Sequence, residues 1–315
     1  MISVIVPMYN SSAYIDECLT ALTGQTEKDL EVILVDDCSR DDTVGKARKY
    51  PFKIIELKQR LFPGQVRNYG AKNSSGGILL FLDADILLKP DSVERIKSRV
   101  LGPATDLFFG SYTRNTPAAG YFSRFQNLIS AFRYSKLPQT ANFTLSHFCA
   151  IKRDVFESVG GYNEKMFYYE DIELGNRLTR KGYLCKCDPG LEVTHLKTYS
   201  HSSLVSEYFR KAAAMAGYLK DKDLFAGIKY NGWPFSLKAA AVSSLALLTS
   251  FFLIKSSFAF FIFSLSAYFI FVSPFLWYTF RDRGPYFALK SFFVIIEVFT
   301  AAFAGMAAGL FSLAR

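Results

Sequence analysis

Asp83-Ala84-Asp85 places two carboxylates two residues apart, directly after the apolar run Ile78–Leu82. If strand geometry persists to Asp85, period-two alternation puts both on one side. Hard oxygen ligands facing one point suit Mg2+ or Mn2+, and such an ion in turn holds a diphosphate. Taken alone the pattern is a weak signal, because acids at strand ends also cap loops. Asp36-Asp37 is a second acidic pair after an apolar run, Glu31–Val35. Glu170-Asp171 is a third, opening a segment in which Ile172, Leu174 and Leu178 recur at helical spacing. A carboxylate there can take a proton from an attacking hydroxyl, or merely favour a helix N-terminus electrostatically.

The elements that must carry these groups alternate. Ile2–Val6 reads as a strand stopped by Pro7, followed by a helix capped by Ser11 or Ser12 and ended by Gly24. Strand Glu31–Val35 precedes a short helix that Asp41 or Asp42 caps and that runs through Tyr50; strand Lys53–Leu57 precedes a helix over Gly64–Asn73. Gly76-Gly77 turns the chain into strand Ile78–Leu82, and Pro90 sits at the first position of a helix faced by Val93, Ile96 and Val100. Strand–helix alternation implies a parallel sheet with right-handed crossovers. In such sheets ligands bind beyond the carboxyl ends of the strands, where both aspartate pairs fall. Further on, Phe108-Phe109, Phe148–Ile151, Tyr183–Cys187 and Leu191–His195 read as strands. Tyr121–Tyr134 and Leu204–Leu219 read as helices with basic and aromatic faces, suited to a membrane interface or to packing on the sheet.

From Trp233 the chain turns almost continuously apolar, which sets a domain boundary near Tyr230–Trp233. Segments at about 237–254, 258–280 and 291–313 predict three spans, each needing roughly 20 apolar residues. Lys255 marks the first loop, whereas Arg281, Arg283 and Lys290 mark the second; Arg210, Lys211, Lys220, Lys222, Lys229 and Lys238 precede the first span or open it. The positive-inside rule then puts residues 1–235 and the second loop in the cytoplasm and Arg315 outside. Gly305-x-x-x-Gly309, extended back to Ala301, is a small-residue stripe for close helix contact, within the bundle or between copies in a homo-oligomer. Glu297 lies inside the third span, where a carboxylate needs a partner, a proton or the headgroup region. Three spans make a poor pore, so transport is disfavoured.

The 315 residues carry a formal net charge of +9, from 37 Lys plus Arg against 28 Asp plus Glu. Beside a membrane-like tail this excess suits anionic lipid headgroups or a polyphosphate substrate. No nucleic-acid-binding motif accompanies it, so nucleic acid is not an expected partner. Cys18, Cys38, Cys149, Cys185 and Cys187 include no C-x-x-C pattern and read as free thiols of a reducing compartment. Ile2–Val6 is too short for a signal-peptide core, consistent with a cytoplasmic N-terminal domain.

Six motifs then stand in one order: Val4-Ile-Val-Pro-Met-Tyr-Asn10, Val35-Asp-Asp-Cys-Ser-Arg-Asp-Asp-Thr43, Gly64-Gln-Val-Arg-Asn68, Phe81-Leu-Asp-Ala-Asp85, Gly160-Gly-Tyr-Asn-Glu164 and Glu170-Asp171-Ile-Glu-Leu174. Over about residues 1–200 the chain resembles the family-2 glycosyltransferases of the GT-A fold. The resemblance implies an α/β, Rossmann-like nucleotide-sugar-binding domain over 1–230, with an interfacial helix at about 204–219, followed by a transmembrane region over 233–315. It implies that Pro7, Tyr9 and Asn10 approach the nucleotide, and that Asp36 or Asp37 accepts a hydrogen bond from the base. Arg67 would reach the nucleotide or its phosphates, where a bidentate guanidinium is well suited. Asp83 would bind ribose or metal, Asp85 the metal, and His195 would be a third metal ligand. Asp171 would be the general base, with Glu170 supporting the active site or the acceptor. His147 falls in a segment that lines the acceptor region in relatives, and neither it nor His201 receives a role.

The expected activity is therefore inverting, metal-dependent transfer from a nucleotide-sugar, UDP-linked rather than GDP-linked by base rate. The acceptor would be membrane-associated, a lipid-linked saccharide in cell-surface polysaccharide or glycoprotein synthesis. The alternative acceptor is a polyprenyl phosphate, as in dolichyl-phosphate mannose synthase. A non-catalytic membrane scaffold and a nucleotidyltransferase are rival readings. Processive relatives carry a Q-x-x-R-W motif; Glu207-Tyr-Phe-Arg-Lys211 does not match it, so processive synthesis is disfavoured.

Overall fold

The computed structural model describes residues 1–102, 105–219, 234–254 and 257–311. The chain divides into two compact units, one built from Met1–Ala118 and Leu137–Lys197, the other from Ala119–Lys136 and the described parts of 198–226 and 232–315. The expected boundary near Tyr230–Trp233 lies outside the described residues.

In the first unit the strands are β1 (Ile2–Met8), β2 (Leu30–Asp36), β3 (Lys53–Glu56), β4 (Ile78–Leu82), β5 (Ile86–Leu87), β6 (Leu107–Tyr112), β7 (Thr140–Ala141), β8 (Phe148–Lys152) and β9 (Cys185–His195). Its helices are α1 (Ile15–Thr23), α2 (Thr43–Ala47), α3 (Pro63–Lys72), α4 (Ser92–Leu101), α6 (Arg153–Ser158) and α7 (Glu170–Arg180), with α5 (Tyr121–Tyr134) in the other unit. The strands form one sheet in the order β3-β2-β1-β4-β8-β6-β9-β5, with β7 on β9.

The β3-β2-β1-β4 half is parallel, as the strand–helix alternation predicts. The other half departs from that expectation: β8 is antiparallel to both β4 and β6, β6 and β9 are parallel, and β5 and β7 pair antiparallel with β9. Antiparallel neighbours need no helical crossover, which accords with the loss of regular alternation after α4. The fold is a mixed α/β sheet. Ile2, Val4, Val6, Leu34, Leu80 and Leu82 of adjacent strands bury one face against Ile15, Leu19, Val93, Ile96 and Val100 of α1 and α4.

Two local expectations change. Pro7 does not stop β1, which continues to Met8 in register with β2. Pairing with β4 covers only Ile2–Ile5, so beyond it one flank has no ladder and a missing N–H is tolerated. Pro90 does not open α4, which starts at Ser92. Gln25 intervenes: its amide donates to Lys89 O (2.8 Å) and accepts from Val93 N–H (3.0 Å), capping the helix from a distant loop.

The second unit holds α5 together with α8 (His201–Tyr218), α9 (Phe235–Phe252), α10 (Phe258–Arg283) and α11 (Pro285–Phe311). The last three are long and apolar enough to cross a membrane. They correspond to the spans expected at 237–254, 258–280 and 291–313, although Lys255 and residues 312–315 lie outside the described residues. Helices α5 and α8, expected with residues 1–230, share the apolar core of this unit: Phe125, Leu128, Phe132 and Leu204 pack with Leu237, Tyr268, Phe275, Ile295 and Val298. Pro274 inside α10 cannot donate to Ile270 O, and Ser273 Oγ takes that acceptor at 2.8 Å.

The small-residue stripe serves a contact inside this unit. A Cβ on Gly305 would collide with the carbonyl of Phe209, and one on Gly309 with that of Ala213. His201 Nε2 meets Glu297 Oε2 at 2.8 Å. The pairs 201/297, 209/305 and 213/309 advance together, so α8 runs parallel to the second half of α11. Glu297 thus has its partner on a neighbouring helix.

Candidate active site

The site is built where β4 ends. The chain turns immediately after Leu82: Asp83 N–H donates to His147 O (3.2 Å), and Ile86 N–H to Asp83 O (3.2 Å). Strand geometry therefore does not persist to Asp85, and the two aspartates take different partners.

Asp85 is brought to His195 by sheet pairing. Ile86 lies opposite His195 across the antiparallel β5–β9 pair, and Leu196 N–H donates to Asp85 O at 2.8 Å. Asp85 Oδ2 stands 3.4 Å from His195 Nε2. The His195 ring stacks on Tyr112 with centroids 4.8 Å apart, and Thr116 Oγ1 donates to its carbonyl. Burial pushes the Asp85 carboxyl up, but His195 and then Lys197 pull harder and hold it below the ordinary carboxylate value.

One carboxylate oxygen and one imidazole nitrogen make a donor set that Mn2+ accepts, with Mg2+ preferring the oxygen. Among the described residues no group of three or more His, Cys, Asp or Glu side chains converges on one point. Asp83 thus is not gathered with the other two expected metal ligands. A pair of protein ligands leaves most of an octahedral shell for water and phosphate oxygens, as such ions usually have when they hold a diphosphate.

Asp83 faces α3 instead. Arg67 is buried and donates from Nη2 to Asp83 Oδ1 and from Nη1 to Glu170 Oε1, both at 2.8 Å. Burial opposes its charge, but Asp83 and Glu170 outweigh that and hold it above the ordinary arginine value. Glu170 is pushed up to about 7, by burial first, despite Arg67 and with Asp171 adding to the rise. One guanidinium between two carboxylates leaves a surplus negative charge, which a proton on Glu170 relieves.

The motifs lock these helices in place. Asn68 accepts from Tyr162 N–H at 2.8 Å and donates to Tyr162 O at 2.9 Å, and its amide also reaches Glu164 at 3.0 Å. Gly161, at φ +72°, lets the loop fold over Asn68. Tyr169, at φ +66°, then starts α7, so that Glu170 is buried while Asp171 is half-buried and accepts from Ile172 N–H at 2.8 Å.

The carboxyl ends of β1 and β2 carry the other expected residues. Pro7 is inside β1; Asn10, at φ +46°, accepts from Arg40 N–H (2.8 Å) and donates its own N–H to Ser39 Oγ (3.0 Å). Asp36 Oδ2 accepts from Ser39 N–H at 3.1 Å, while its buried Oδ1 has no partner. Both Asp37 oxygens have partners: Oδ1 accepts from Leu61 N–H and Oδ2 from Arg60 Nε, each at 2.8 Å. Arg60, for which the motifs carry no signal, lies over the Tyr9 ring with Cζ 3.3 Å from its centroid. Tyr112 was equally unmarked, because its role depends on β6 lying beside β9. His147, also against Tyr112, is held neutral by burial, its pKa driven down to about 3.

Residues 3–160, about half of the chain, match the profile of glycosyl transferase family 2. The chain is similar to glycosyltransferase AglE of Haloferax volcanii, at 32% identity over 195 residues covering 58% of this chain and 62% of AglE. It is 39% identical over 97 residues to an uncharacterized glycosyltransferase of Haemophilus influenzae, covering 30% of this chain and 33% of that protein. The chain thus spans less than two thirds of either curated relative. Among solved structures, mannosyltransferase PcManGT from Pyrobaculum calidifontis, in complex with GDP-Man and Mn2+, matches with a TM-score of 0.62 at 18% identity. That match covers 99% of this chain and 87% of PcManGT, and it is a likeness of fold.

Proposed function

The chain belongs to glycosyl transferase family 2, and we propose that it transfers a sugar from a nucleotide donor to a membrane-associated acceptor with inversion. What supports this reading above all is the assembly at the end of β4, where Asp85 meets His195 and Arg67 joins Asp83 to Glu170. Asp85 and His195 would hold Mn2+ or Mg2+. Such an ion supplies charge stabilisation for the departing nucleoside diphosphate. Arg67 fixes Asp83 beside this pair, ready for ribose. Asp171, on the first turn of α7, would accept the proton of the attacking hydroxyl, and a single displacement inverts the anomeric centre.

Helices α9, α10 and α11 are the candidate anchor and suit a lipid-linked saccharide as acceptor. Arg281, Arg283 and Lys290 flank the α10–α11 loop and favour its cytoplasmic placement, with the catalytic unit on the same side. Arg210 and Lys211 add little to that assignment, since α8 lies along the second half of α11.

The test is nucleoside diphosphate release from a panel of UDP- and GDP-sugars with native lipid extract, with and without Mn2+. Metal-dependent release that requires the extract and vanishes in Asp85→Ala establishes the reading. Failure of every donor with folded protein overturns it.

A further inference from the structure

We propose that Tyr112 is the positioning residue for His195, fixing the plane in which the imidazole presents Nε2 to a metal ion. This rests on the metal-dependent reading above. Nε2 is the nitrogen turned toward Asp85, 3.4 Å from Oδ2. Its lone pair lies in the ring plane, so rotation of the ring would aim it elsewhere. Leu196 N–H on Asp85 O and Thr116 Oγ1 on His195 O hold the backbone here. Neither bond limits the ring torsion, which is intrinsically broad for histidine.

Tyr112 supplies that limit. Its ring stacks on His195 with centroids 4.8 Å apart and planes 14° from parallel. The sheet puts it there: β6 lies between β8 and β9, and its last residue, Tyr112, stands opposite Val193. His195 follows two residues along β9 on the same face. The pairing of β6 with β9 shifts by three residues between Phe109 and Ser111. Without that shift Tyr112 would stand opposite Gly190, well short of His195. From the β8 side the His147 ring lies 4.2 Å from Tyr112, kept neutral by burial. His147 O accepts from Asp83 N–H at 3.2 Å, so the three rings are tied to the turn that carries Asp85.

The contact also has an electronic sense. An imidazole that gives its lone pair to a dication becomes electron-poor, and the electron-rich face of a phenol then attracts it more strongly. Metal binding and stacking therefore reinforce one another, and the coupling is reciprocal. The ring carries this role, so phenylalanine should serve in place of tyrosine. A purely structural role is the competing account, since Tyr112 also packs against the core that contains Val193. That account predicts a loss of stability with no change in metal affinity.

The experiment is a Mn2+ titration of the full chain in detergent, with UDP or GDP at fixed concentration, followed by electron paramagnetic resonance. Nucleotide without protein gives the baseline. Wild type is compared with Tyr112→Phe, Tyr112→Val, Tyr112→Met and His195→Gln, and the unfolding midpoint of each metal-free chain is recorded alongside. Tyr112→Val and Tyr112→Met weaken Mn2+ binding at least about threefold, the worth of a stacked aromatic pair, while Tyr112→Phe stays within about twofold of wild type. Valine suits a strand and methionine adapts to the gap, so one result stands if the other variant misfolds. A lowered midpoint with unchanged Mn2+ affinity in the ringless variants overturns the assignment alone. Tyr112→Phe weakening Mn2+ as much as Tyr112→Val also overturns it, by moving the role to the hydroxyl. Wild type at baseline, or His195→Gln binding as wild type does, overturns the metal reading itself, and the assignment with it.

Discussion

Arg67 Nη2 donates to Asp83 Oδ1 at 2.8 Å, so the first aspartate of Asp83-Ala-Asp85 faces a guanidinium while the second faces His195. Two carboxylates that look equivalent in sequence thus take different partners, a guanidinium for one and an imidazole for the other. Separate substitutions should have separable consequences.

Asp85→Asn and His195→Gln are expected to act on the metal requirement. Chelation with EDTA abolishes nucleoside diphosphate release, and Mn2+ restores it. His195→Gln raises the Mn2+ concentration for half-maximal release by about tenfold or more, a typical effect of weakening a metal site. An unchanged Mn2+ titration in His195→Gln would remove that residue from the ligand set.

Arg67→Met is expected to act on stability. It strands Asp83 and a buried Glu170 without their shared cation, and breaking a buried ion pair typically costs about 3–5 kcal/mol. Denaturant unfolding of the detergent-solubilised chain measures this. A loss below about 1 kcal/mol would mean that the pair contributes no more than an exposed salt bridge.

Glu170 gives a pH signature. Its carboxyl is raised from 4.5 to about 7 in the fold, chiefly by burial. Between those values the folded chain keeps a proton that the unfolded chain has released. This contribution to stability is complete below pH 4.5 and lost as pH rises through 7. Comparing unfolding midpoints at pH 5 and pH 8, Glu170→Gln should show a smaller decline than wild type. An identical decline would place the slope elsewhere.

Asp171→Asn is expected to slow transfer to a hydroxyl acceptor by about 100-fold to 10,000-fold, the usual worth of a general base. Nucleotide affinity should stay as in wild type. Transfer retained with a lipid-phosphate acceptor, and lost only with a saccharide, would reassign the acceptor, since a phosphate needs no base.

Gly305→Leu drives a side chain into the Phe209 carbonyl on α8. Overpacking of this kind costs about 1–3 kcal/mol, so the thermal midpoint in detergent should fall. Leu310→Ala, at an exposed position on the same helix, serves as the control.

Much of the site is legible in the sequence. The parallel half of the sheet follows from strand–helix alternation, because a parallel pair obliges a crossover of a particular kind. Asp36-Asp37, Asp83, Asp85 and Glu170-Asp171 could be located at element ends for the same reason. The three apolar helices needed only hydropathy and length. These are properties of segments, and a linear chain displays them directly.

What a side chain faces is a different matter. Arg60 lies outside every motif, shortly before Gly64, and only the fold lays it on Tyr9 and pairs it with Asp37. Tyr112 meets His195 because β6 pairs with β9, a partnership between distant stretches that periodicity does not encode. The turn after Leu82 likewise parts Asp83 from Asp85, where alternation had joined them. The sequence by itself determined which elements form and which carboxylates stand at their ends, since backbone preference and burial act along the chain. The tertiary structure decided the partners, because hydrogen bonds and charges are satisfied across space.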